Sequence, residues 1–81
     1  MTPPKRQLRE RYPMPEFMRT ALAASGLMVA YEQRPPYQRN DYIGWIMKAK
    51  LPVTRQKRLT QMLDELAKGG VYMKMEWRGK T

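Results

Sequence analysis

Residues 35–68 read PPYQRNDYIGWIMKAKLPVTRQKRLTQMLDELAK. Tyr42, Trp45, Ile46 and Ala49 recur there at i, i+3, i+4 and i+7. That is one apolar stripe, and it predicts a helix over 36–49. Gln38, Arg39, Asp41 and Lys48 fall mostly outside the stripe. Leu51-Pro52 makes a sharp corner, and Pro52 opens a second helix over 52–68, where its missing N–H is not needed. In this helix Leu59, Met62, Leu63 and Leu66 repeat the same spacing, and Gly69-Gly70 terminates it. Gly44 costs about 1 kcal/mol relative to Ala inside a helix. It marks either the close approach of another helix or a tolerated surface position.

Outward from this pair, Pro15 begins an earlier helix, with Glu16 in the first turn complementing the positive helix end. Phe17, Ala21 and Ala24, with Met18 and Leu22, form its apolar face, and Gly26 stops it in a left-handed cap. A short helix over 27–33 follows, too short to persist without packing, and Arg34-Pro35-Pro36 ends it. Residues 1–14 carry prolines and basic side chains but no core face, and read as a flexible arm that orders only on a partner. Residues 71–77 alternate, with Val71, Met73, Met75 and Trp77 on one side. A lone strand needs a partner, so the expectation is an extended tail over 69–81 with that side turned inward. The fold class expected is therefore all-α, a four-helix module over 15–68 with a basic N-terminal arm and an extended C-terminal tail.

The 81 residues hold 16 Lys and Arg against 7 Asp and Glu, a net charge of +9, with no Cys and no His. This composition removes disulfides, thiolate chemistry, nearly every zinc site and the histidine-based nucleophile systems. Asp41 beside Tyr42 is the acid/phenol pair worth naming, and no second carboxylate supports it. The expectation is a protein that is not an enzyme and takes no cofactor and no metal. Residues 37–58 carry six basic side chains against Asp41 alone, a net +5, which favours acidic partners. The longest uncharged stretch, 20–31, falls short of the ~20 apolar residues of a bilayer span. Glu10 and Glu16 interrupt the basic run before it, against the pattern of an export signal, so the expected location is the cytoplasm.

A longer pattern runs through the same region: Pro35-Pro36-Tyr37, Arg39, Asp41-Tyr42, Trp45-Ile46, Ala49-Lys50, Val53-Thr54-Arg55 and Arg58-Leu59. It resembles the YdeI/OmpD-associated family, also called bacteriocin-protection, over about residues 15–68. The family pattern has a Ser where Tyr37 stands and a Glu where Val53 stands. The first departure removes a side chain that could cap a helix, and the second removes an acid from the basic start of the last helix. The resemblance implies a compact all-α module, often appended to a larger β-rich domain, and a role in stress or envelope protection.

Lys50, Arg55, Lys57 and Arg58 gather at the corner between the last two helices and form the candidate anion or nucleic-acid site. Arginine forks would make bidentate phosphate contacts and lysines would act as point charges. The alternative is a solvated face in which Asp41 pairs with Arg55 or Arg58 across the two helices. Thr54 is expected to serve the helix start through its hydroxyl, and Tyr42, Trp45 and Ile46 to pack in the core. Two functions follow. One is a monomeric interaction module that docks another protein or an acidic surface. The other is a nucleic-acid-binding protein presenting Thr54, Arg55, Gln56, Lys57 and Arg58 from a helix-turn-helix.

Overall fold

The computed structural model describes residues 12–76. It consists of α1 (Glu16–Ser25), α2 (Met28–Glu32), α3 (Pro36–Met47), α4 (Pro52–Lys68) and a hairpin of β1 (Val71–Tyr72) and β2 (Met75–Glu76). The helix boundaries have local causes. Pro15 and Pro35 hold extended backbone immediately before α1 and α3, while Gly26 (φ 72°) and Gly69 (φ 83°) take left-handed conformations that end α1 and α4. Between them the helices bury Met18, Leu22, Tyr31, Tyr42, Ile43, Ile46, Leu59, Met62 and Leu66 in one core. Each such side chain is worth about 1.5–3 kcal/mol when fully buried. α3 stops two residues short of the expected Ala49, and on α1 the buried side is Met18 and Leu22, with Phe17 and Ala24 at the surface.

The chain is not purely helical, which corrects the all-α expectation. Val71 pairs with Glu76 and Tyr72 with Met75 in an antiparallel register. The strand therefore finds its partner in the next few residues instead of lying extended on the bundle. Met73 (φ 51°) and Lys74 (φ 65°) form the two-residue turn, both left-handed. Such a turn matches strand twist and is normally made by Asn-Gly, because each left-handed residue other than Gly costs about 1–2 kcal/mol. Here the turn points both of its backbone N–H groups at one carboxylate, that of Glu65 (2.8 Å from Met73, 2.7 Å from Lys74). This anion-binding nest offsets the strain. The turn also breaks the alternation: Tyr72 packs against the core, while Met75 is 61% exposed. Trp77 and the rest of the tail, like residues 1–11 of the arm, lie outside the described residues.

Residues 12–14 pack on the bundle. The Tyr12 N–H donates to Asn40 Oδ1 (2.8 Å), and its ring covers Gly44 on α3. A Cβ on Gly44 would sit 2.6 Å from Tyr12 Cε2, so the glycine admits the arm's aromatic ring and not another helix. The obstructing atom belongs to a side chain that can move. Gly44→Ala is therefore expected to shift stability by less than about 1 kcal/mol, the helix-propensity gain offsetting the displaced ring. Urea midpoints read the first effect, and loss of NMR contacts between Tyr12 and α3 reads the second.

Candidate functional site

The four basic residues of the corner divide into two pairs. α3 ends at Met47, and its terminal carbonyls need donors. Lys48 N–H reaches Gly44 O (2.9 Å) and Ala49 N–H reaches Ile46 O (3.2 Å). Arg58 Nη1 donates to Trp45 O at 2.6 Å, and Arg55 Nη2 to Ala49 O at 3.4 Å. Both guanidinium groups also lie against aromatic rings, Arg58 at 5.3 Å from Trp45 and Arg55 at 5.7 Å from Phe17. Positive charge in the first turns of α4 opposes that helix's own dipole, but here it answers the negative end of α3. Arg55 and Arg58 thus serve the inter-helix corner. Lys50 and Lys57 stand exposed beside them.

Asp41 does not pair with Arg55 or Arg58. Its Oδ2 accepts from the Tyr72 hydroxyl (2.7 Å), on the hairpin side of α3. The acid/phenol pair of neighbouring residues is split as well, because Tyr42 turns inward and donates to Glu65 Oε1 (2.5 Å). Thr54 does not cap α4, whose start at Leu51 has no side-chain cap. Tyr42, Ile46 and Ala49 are buried and Trp45 is half-buried. Tyr37 receives a hydrogen bond from Gln38 Nε2 (3.1 Å) and meets Tyr72 edge-on, ring centres 6.0 Å apart.

Among the described residues, polar contacts concentrate around Glu65 and Arg34, to which the sequence reading assigned no site. Glu65 is 2% exposed, and its carboxylate takes hydrogen bonds from Tyr42, Gln61, Met73 and Lys74. Arg34, equally buried, donates to Gln38 Oε1 (3.0 Å), Glu65 O (3.0 Å) and Val71 O (2.9 Å). Gln38, expected outside the apolar stripe, is fully buried with them. The one sequence signal for Glu65 is its place three residues after Met62, on the flank of the α4 stripe. These groups lock α3, α4 and the hairpin together, which accounts for their burial.

Burial, the hydrogen bond to Glu65 and that residue's charge hold the Tyr42 phenol well above its ordinary pKa of 10.0. An unfolded tyrosine ionises near pH ~10. Above that pH the unfolded chain gives up a proton that the native chain keeps. The stability from this group is therefore complete below pH ~10 and is lost as pH rises toward the folded pKa. In urea titrations at increasing pH, the wild type is expected to lose stability relative to Tyr42→Phe from about pH 10 upward. A constant difference across that range contradicts the assignment.

Between α3 and the hairpin runs a groove of about 480 Å³ lined by Tyr12, Asn40, Asp41, Trp45, Lys48 and Tyr72, among others. Among the described residues, no three His, Cys, Asp or Glu side chains are grouped to hold a metal ion. No helix of the described residues is long and apolar enough to cross a membrane. What the corner leaves at the surface is different in kind. Met47 (41% exposed), Leu51 (61%) and Val53 (60%) project beside Lys50 and Lys57.

Replacing Arg55 and Arg58 together by Ala is expected to cost about 2–3 kcal/mol, since α3 loses the charge-assisted bond from Arg58 and the corner loses the longer one from Arg55 to Ala49. A denaturation midpoint equal to wild type would refute the capping role. The sequence model described as "Bacteriocin-protection, YdeI or OmpD-Associated" matches residues 11–69. No curated protein and no solved structure matches the chain.

Proposed function

The chain belongs to the bacteriocin-protection, YdeI- or OmpD-associated family, and from that premise we propose that it is a non-enzymatic interaction module that docks through the α3–α4 corner. The observation that carries this reading is the division of labour among its polar groups. Arg34, Gln38, Tyr42 and Glu65 are buried in mutual contacts, Arg58 is committed to the Trp45 carbonyl of α3, and Arg55 to the Ala49 carbonyl just beyond it. The surface they leave is aliphatic and cationic, a composition suited to contact and not to bond-making. The word "associated" in the family description fits such a role.

Nucleic-acid binding would draw on the same corner, but the arginines it needs already bind backbone carbonyls of Trp45 and Ala49, and nothing in the geometry favours it. A photo-crosslinking residue at Leu51, which captures either protein or lipid, tests the docking surface, with one at Lys68 as control. The two positions are separated by the length of α4, about 25 Å at 1.5 Å per residue. Capture expected at Leu51 should be competed by excess wild-type chain but not by a chain carrying Leu51→Ser and Val53→Ser. Equal capture at both positions, or equal competition by both chains, overturns the assignment of the corner.

A further inference from the structure

We propose that the surface docked by the α3–α4 corner is an anionic lipid bilayer, with Leu51 and Val53 entering the interface and Lys50 and Lys57 meeting the phosphates. This rests on the reading of the corner as the contact surface and names its partner.

Three observations converge. First, the aliphatic side chains project. Leu51 and Val53 are each about three-fifths exposed, and Met47 two-fifths, at a turn between two helices. Second, cations are interleaved with them. Lys48, Lys50 and Lys57 are all exposed within residues 47–57, and Val53 and Lys57, four apart on α4, share a face. Third, charge is uncompensated along the chain, since no Asp or Glu occurs between Tyr42 and Leu63.

A bilayer interface offers an apolar layer and a plane of phosphates at a fixed separation. A lysine places its stem along apolar surface and its ammonium among headgroups. Each basic residue near an anionic surface strengthens binding about fivefold, from ~1 kcal/mol apiece. A protein partner would instead need a concavity to receive projecting side chains. A nucleic-acid backbone would answer the lysines but leave the aliphatic side chains in water. The arginine contacts complete the argument: by fixing α3 to α4 they hold the corner rigid, so the side chains are presented together without an ordering cost.

The test uses the full chain, which has no cysteine of its own. Leu51→Cys and Lys68→Cys each accept one environment-sensitive fluorophore. Vesicles of phosphatidylcholine alone and of equal parts phosphatidylcholine and phosphatidylglycerol are the probes. Expected are binding to the mixed vesicles, a blue-shifted and brighter emission from position 51, and little change at position 68. The unlabelled variant Leu51→Ser with Val53→Ser, and separately Lys50→Glu with Lys57→Glu, should each weaken sedimentation with mixed vesicles at least about tenfold. All four positions are exposed, so folding is retained, and far-UV circular dichroism checks it.

Absence of binding to either vesicle overturns the proposal. So does binding that ignores the serine substitutions, because adsorption by charge alone involves no insertion. If vesicles fail while crosslinking at Leu51 still captures a competed protein, the bilayer is wrong and the docking corner stands. If both fail, the corner itself is wrong.

Discussion

Glu65→Ala is expected to leave the chain largely unfolded at room temperature. The carboxylate is buried and takes donors from three directions: the Tyr42 hydroxyl on α3, Gln61 one turn earlier on α4, and the two N–H groups of the hairpin turn. Removal leaves the buried phenol and the two part-buried turn N–H groups without their acceptor, at up to about 1–3 kcal/mol each. It also leaves the left-handed turn at Met73 and Lys74 with nothing to offset its strain. A core of this size supplies only ~3–5 kcal/mol of net stability, so the loss is comparable with the whole. Glu65→Gln keeps the shape but presents an NH₂ where an acceptor is required, and about 2–3 kcal/mol should be lost. Urea denaturation followed by far-UV circular dichroism ranks wild type above Gln and Gln above Ala. An Ala variant with a wild-type midpoint would contradict the structural role.

Arg34→Met ranks second, at about 3 kcal/mol. The guanidinium ties α3 through Gln38, the end of α4 through the Glu65 carbonyl, and β1 through the Val71 carbonyl. Methionine fills similar volume but leaves those buried acceptors without their donor. A positive group near the last carbonyls of α4 also complements that helix's negative end. Arg34→Lys should recover less than half of the loss, because an ammonium cannot span the acceptors as a planar fork does. The effect should concentrate at the hairpin. Amide exchange at Val71–Glu76 is expected to accelerate more than exchange in α1, whereas uniform acceleration would indicate simple global destabilisation. Arg34 and Glu65 meet at the same junction, so the two substitutions together should cost less than the sum of their separate effects.

The four helices were legible because their causes are local. Pro15, Pro36 and Pro52 start helices and Gly26 and Gly69 end them through backbone geometry within a few residues. The stripes of α3 and α4 identify most of the core through 3.6-residue spacing alone. The family was legible for the same reason, its pattern being a chain of such local signals, and the matched span of 11–69 includes the 15–68 read from the residues.

The roles of the charged residues were not legible in this way. Arg34 and Asp41 find the hairpin across 37 and 31 residues respectively, and Tyr42 finds Glu65 across 23. Spacing along one helix says nothing about a donor that arrives from another element. Asp41, Arg55 and Arg58 illustrate the result. Their types and rough positions predicted an ion pair, yet packing turned the aspartate toward Tyr72 and the arginines toward the carbonyl end of α3. The tail shows the same limit in the backbone. Its alternation suggests a strand, but the expected extended tail is instead a hairpin, whose turn adopts two left-handed residues because a buried carboxylate waits beneath them. By itself the sequence determined where the helices lie and which sides are apolar, since local sterics and hydrophobic periodicity suffice for that. Only the tertiary structure decided which charges are buried, because a buried charge is tolerable only where packing brings its hydrogen-bond partners together.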